Sequence, residues 1–105
     1  MFPKPTRYQN EAYRRYVASK PCISCGIEGY SQCAHANGGG MGTKASDLDT
    51  FPLCAEQPGR IGCHKMFDLC IDMSKQQRRE LTAVYIAAMQ TQAKAEGRPE
   101  FREAA

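Results

Sequence analysis

Apolar positions are spaced as in helices at the two ends of this chain and as in short strands in its middle. Tyr13, Tyr16 and Val17 recur at i, i+3 and i+4 and make one stripe, with Arg14 and Arg15 off it. Asn10 stands where an N-cap belongs, and Glu11 puts an acid in the first turn. Pro21 closes this helix, because the residue before a proline is pushed out of the helical region. Residues 1–9 carry two prolines and two bases and read as an extended arm. Ser31 to Ala36 and Thr50 to Leu53 suit two short strands, with Pro52 limiting the pairing of the second. Between them, four glycines in residues 37–42 impose a loop. Glu56 to Gly62 is rich in turn residues. A helix is predicted from about Cys63, carrying His64, Phe67, Asp68 and Ile71. Ser74 and Gln77 form a capping box for a second helix. Leu81, Val84, Tyr85, Ala88, Met89 and Gln92 follow helical spacing in it to about Glu96, and this stripe, Tyr85 and Met89 with it, is expected in the core. Gly97 and Pro99 stop it. The expected architecture is a single α+β domain over residues 10–97, followed by a charged, frayed tail over 98–105.

The composition changes this picture in one respect. The chain has 105 residues, no tryptophan and six cysteines, and its mean hydropathy is −0.55. A core that thin needs a staple, either disulfides or a metal. Met1-Phe2-Pro3-Lys4-Pro5 has no apolar segment behind it, and no run nears the ~18 apolar residues of a membrane span. The expected location is therefore the cytoplasm, away from membranes, where thiols stay reduced. The net charge of +3 is compatible with a nucleic-acid partner and does not require one.

Cysteine spacing then points to a metal. Cys22-Ile23-Ser24-Cys25 followed by Gly26 has the shape of a zinc knuckle. Cys54 and Cys63 supply a second pair, separated by a Pro- and Gly-containing insertion that can loop out. Together these are the four thiolates of a structural Zn2+ site, which can contribute on the order of 10 kcal/mol to folding. A thioredoxin-like redox pair is the competing reading, but no βαβ pattern surrounds Cys22 and Cys25. Buried, chemically inert cysteines are the other. Cys33 and Cys70 stand outside the paired spacing, with Cys33 able to substitute for one ligand.

His64 and Asp68 are four residues apart, so a helix puts both on one face as a half-site for a divalent cation. His35 follows Ala34 at a strand end beside the glycine loop, where a neutral imidazole can take a proton from water. Taken singly, His35 reads as a structural strand histidine, His64 as an extra zinc ligand and Asp68 as an exposed carboxylate.

The order Pro21-Cys22-x-x-Cys25, Ala34-His35, Gly38 to Gly42, Lys44-Ala45-Ser46-Asp47, Leu53-Cys54 and Cys63-His64-x-x-x-Asp68 resembles the zinc-stapled HNH (ββα-metal) nucleases. More narrowly, it is similar to phage and prophage enzymes related to the recombinase-dependent nuclease Ref. The resemblance covers roughly Tyr13 to Tyr85. It implies a ββα-metal finger between an N-terminal and a long C-terminal helix, acting as an endonuclease on DNA. His35 would be the general base. His64 and Asp68 would hold a catalytic Mg2+ or Mn2+. Asp47 or Asp49 would be the middle polar residue that holds the base-bearing loop. Ala34 stands where many members have a further metal ligand. A recombinase filament is an implied partner, and a phage or prophage gene in a bacterial host the implied origin.

Lys44 and Lys65 flank the expected site, and with Arg14 and Arg15 they are the candidates for phosphate contacts. Such contacts give salt-dependent binding with little sequence preference. Arg78 and Arg79 read as a solvated face. Two further readings compete with the nuclease: a zinc-dependent nucleic-acid-binding module with a degenerate site, and a zinc-ribbon adaptor that binds no DNA.

Overall fold

The computed structural model describes residues 9–36 and 46–101. The expected glycine loop and Lys44 lie outside the described residues, as does the extended arm apart from Gln9. Helix α1 (Glu11–Ala18) is followed by strands β1 (Ser31–His35) and β2 (Thr50–Cys54). Helices α2 (Cys63–Asp68) and α3 (Lys75–Ala95) come next, and a 3-10 turn, η1 (Pro99–Phe101), follows them. This is a small α+β domain with a two-stranded sheet.

The local signals act as their chemistry dictates. The Asn10 side chain accepts from the Tyr13 amide and caps α1. Ser74 accepts from the Gln77 amide while the Gln77 side chain accepts from the Ser74 amide, so the capping box is complete. Gly97, with φ at 77°, follows α3.

The strands pair antiparallel, with Ser31 opposite Cys54 and His35 opposite Thr50. Pro52 sits opposite Cys33 and does not end the strand; all five β2 residues are buried. Side chains alternate along a strand, so Gln32, Ala34, Phe51 and Leu53 share one face, while Cys33, His35 and Thr50 share the other. On the first face the Phe51 ring meets Phe67 of α2 at 5.6 Å and Tyr85 of α3 at 5.4 Å. α1 serves the other face, where Tyr13 and Val17 are fully buried.

Three expectations are corrected. Helix α2 stops at Asp68 and does not carry Ile71, because the chain turns through positive φ at Cys70 and Asp72. The stripe on α3 buries Met89 fully, and Ala93, which the periodicity did not name, is buried with it; Leu81 and Tyr85 pack against the core, while Val84 is 60% exposed. The start of the tail is not frayed. Phe101 packs edge-on against Tyr13 at 5.6 Å, and Glu100 accepts from the Asn10 side chain at 2.9 Å.

Candidate metal centre and the two histidines

The turn after α1 presents Cys22 and Cys25, the end of β2 presents Cys54, and the first residue of α2 is Cys63. Their sulfur atoms all lie within 4.8 Å of one another. Cys25 Sγ and Cys54 Sγ are 3.8 Å apart, which matches the edge of a tetrahedron with metal–sulfur bonds of about 2.3 Å. The donor set therefore fits a structural zinc ion. Backbone amides already point at the sulfurs: Cys63 N–H donates to Cys54 Sγ at 3.3 Å and Cys25 N–H to Cys22 Sγ at 3.5 Å.

The thiols are unequal. A hydrogen bond from the Ile27 backbone leads in drawing the Cys25 thiol down to about 6, and Arg60 adds to it through its own hydrogen bond. Burial pushes the Cys63 thiol up to about 12, and hydrogen bonds with Cys54 and Cys25 reinforce this. Four thiolates around one divalent ion leave a net charge of −2, and Arg60 is the nearby cation that offsets it. The turn that carries Arg60 closes on Gln57 through paired backbone hydrogen bonds of 2.9 and 3.1 Å, with Gly59 at φ 75°. Cys33 and Cys70 take no part in the cluster; burial raises the Cys33 thiol.

The two histidines occupy different settings. His35 Nε2 lies 2.6 Å from Oδ1 of Asp47. Asp47 is fully buried, and its Oδ2 accepts from the Asn10 amide at 2.7 Å and from Arg14 Nη1 at 2.6 Å. Burial alone would push this carboxyl up, but the hydrogen bonds from His35, Asn10 and Arg14 outweigh it and hold it below the ordinary carboxylate range. Asp47, not Asp49, thus meets His35. Asp49 accepts from the Gln90 side chain at 3.3 Å instead.

His64 Nε2 lies 3.5 Å from Oδ2 of Asp68 one turn on, and its Nδ1 lies 2.8 Å from Oε1 of Gln32. These three side chains line an open cleft of about 520 Å³ with Glu56, Lys65 and Leu69. A divalent cation with bonds of about 2.1 Å has octahedral ligand edges near 3 Å, so small side-chain adjustments would let His64 and Asp68 share one.

The structure thus brings His64 and Asp68 together, and His35 and Asp47 together. It does not place the two pairs on one face. Gln32 points toward α2, and His35, three residues on, points toward Asp47 and α1. Arg14, expected against phosphate, is engaged by Asp47, and Arg15 pairs with Glu11 at 2.8 Å. Lys65 pairs with Glu56 at 2.9 Å on the cleft wall. Arg78, expected on a solvated face, donates to the Asp68 carbonyl at 3.1 Å and ties α3 to the end of α2. Gln32 was not singled out from the sequence, although its period-two relation to Ala34 was a legible signal. No comparable signal marked Arg60 or Arg78.

Fold and site together define a small α+β domain with a four-cysteine centre suited to a metal such as zinc. The chain belongs to the family described as "Protein of unknown function (DUF968)", whose model matches residues 1–67. That stretch holds all four cluster cysteines, both histidines and Asp47, and ends one residue before Asp68. The chain is also similar to "Uncharacterized protein YdfU" of Escherichia coli (strain K12), with 44% identity over 62 residues, or 56% of this chain and 18% of that protein. It therefore spans under a fifth of that relative's length. No solved structure matches. Among the described residues no helix is long and apolar enough to cross a membrane.

Proposed function

We propose that this chain is a zinc-stapled endonuclease domain of the HNH (ββα-metal) type that hydrolyses DNA phosphodiester bonds. The observation that supports it most is the Asp47–His35 pair. Asp47 accepts the Nε2 proton of His35, and among the described residues Nδ1 has no hydrogen-bond partner, so it is left to take a proton from water. The buried, cation-held carboxylate favours the imidazolium that results. His64 and Asp68 would hold the catalytic Mg2+ or Mn2+, which when bound supplies positive charge against the phosphate oxygens. Lys65 on the cleft wall would attract the DNA backbone without reading sequence. Scission would leave a 5′-phosphate and a 3′-hydroxyl, as the resemblance implies. A recombinase filament presenting the DNA, and a phage or prophage setting in the bacterial cytoplasm, belong to the same reading.

The mechanism requires His35, the last residue of β1, to reach round the strand end to a phosphate seated at His64 and Asp68. Its position on the opposite face favours a second reading, a zinc-dependent nucleic-acid-binding module in which the Asp47–His35 pair is structural. A nicking assay on supercoiled plasmid with Mg2+ or Mn2+ separates the two, using wild type, His35→Ala and His64→Ala at matched zinc content. Nicking by wild type that both variants lose, with DNA binding retained, supports the nuclease. Binding by wild type without nicking under either metal supports the module.

A further inference from the structure

We propose that Gln32 is a positioning residue for His64: its carbonyl oxygen accepts the Nδ1 proton and leaves Nε2 bare toward Asp68. The proposal rests on the reading of His64 and Asp68 as a cation half-site.

Three observations carry it. Gln32 Oε1 lies 2.8 Å from His64 Nδ1. The other ring nitrogen, Nε2, is the one 3.5 Å from Asp68 Oδ2. All three side chains line the same open cleft. A neutral imidazole carries one proton. Whichever nitrogen donates to a fixed acceptor leaves the other as a lone-pair donor, and metal-ligating histidines commonly have the first nitrogen bonded in this way. The strand supplies the fixed acceptor. Gln32 is paired opposite Leu53, which is fully buried, so the backbone under the amide is held while its tip reaches α2. Gln32 also shares a strand face with Ala34, the position without a ligating side chain. With only two protein ligands, the half-site depends on how well each is pre-set; Arg78 holds the Asp68 backbone carbonyl, and Gln32 meets the His64 ring itself. Gln32 is exposed, so replacing it leaves the core intact.

The test uses the zinc-loaded full chain and Mn2+ as the probe ion. Nitrogen-15 shifts of the His64 ring at pH 8, before any Mn2+ is added, should report the Nδ1–H tautomer in wild type. Gln32→Leu should lose that preference. By calorimetry, Gln32→Leu should bind Mn2+ at least tenfold more weakly, while Gln32→Glu, which keeps the acceptor, should restore affinity. Equal Mn2+ affinity in wild type and Gln32→Leu, or an unchanged tautomer, overturns the role of Gln32 and leaves the half-site standing. No Mn2+ binding by any of the three proteins overturns the half-site itself, and the role of Gln32 in it falls with it.

Discussion

His35 Nε2 and Asp47 Oδ1 are 2.6 Å apart, and the aspartate is shut away from solvent while the histidine is not. The same carboxylate takes the first amide of α1's cap and the Arg14 guanidinium. One side chain thus ties the start of α1 to the end of β1. Replacing Asp47 with Ala leaves an imidazole, an amide and a guanidinium without their shared acceptor. The expected cost is about 3 kcal/mol, read from urea unfolding of the zinc-loaded protein. A loss under about 1 kcal/mol would show that the hub contributes little.

The pH dependence follows from the direction of the Asp47 shift. Its folded-state pKa lies below the ordinary value of about 3.9. The unfolded chain therefore binds the proton more readily. The stabilisation is full above about pH 3.9 and is lost as pH falls through the lower folded value. The stability difference between wild type and Asp47→Asn should not shrink on acidification until that acid window is reached. A difference that shrinks between pH 7 and 5 would point to another group.

Gly62 answers to space, not to conformation. A Cβ there would lie 2.4 Å from the Cys54 carbonyl oxygen and from the Ala55 carbonyl carbon, both backbone atoms that cannot swing aside. Gly62→Ala must therefore push apart the two segments that carry Cys54 and Cys63. It should cost at least about 2 kcal/mol and weaken zinc binding. Gly59→Ala is the contrast. Its φ of 75° is strained for alanine, but its Cβ meets nothing within 4 Å. It should cost about 1 kcal/mol and leave zinc affinity unchanged.

Two departures from ordinary chemistry predict stabilising changes. The Tyr13 hydroxyl is buried with no partner among the described residues, and burial first, then the nearby Cys33 and Glu100, pushes its pKa up to about 12. Tyr13→Phe should raise stability by about 1 kcal/mol. Cys70 and Asp72 both hold positive φ, at 53° and 61°, in the turn between α2 and α3. Asp72→Gly should add about 0.5–1 kcal/mol by relieving that conformation. Thermal melts of the zinc-loaded variants would check both, and a lower melting temperature in either would count against the argument.

What could be read beforehand was whatever local chemistry controls. The Asn10 cap, the Ser74–Gln77 box, both strands and the four clustered cysteines depend on short-range spacing, and each is found where its residues imply. The end of α2 was missed because Cys70 holds a positive φ that its residue type does not announce. Val84 was expected in the core because periodicity marks a face without saying how much of that face is covered. Asp47 and Asp49 were indistinguishable by spacing, since only the fold decides which carboxylate is carried under His35. The opposite-face placement of His35 and Gln32 was open to strand parity, but the partners across each face were not.

The placing of His64 and Asp68 depends on the thiolate knot, because Cys54 and Cys63 fix the end of β2 to the start of the helix that carries them. X-ray absorption at the zinc edge of the purified chain tests it most directly. One zinc per chain with four sulfur neighbours at about 2.3 Å is expected, with one sulfur lost in Cys25→Ser. Zinc bound through a nitrogen from His64 in place of a cysteine, or no stoichiometric zinc in a folded chain, would contradict it.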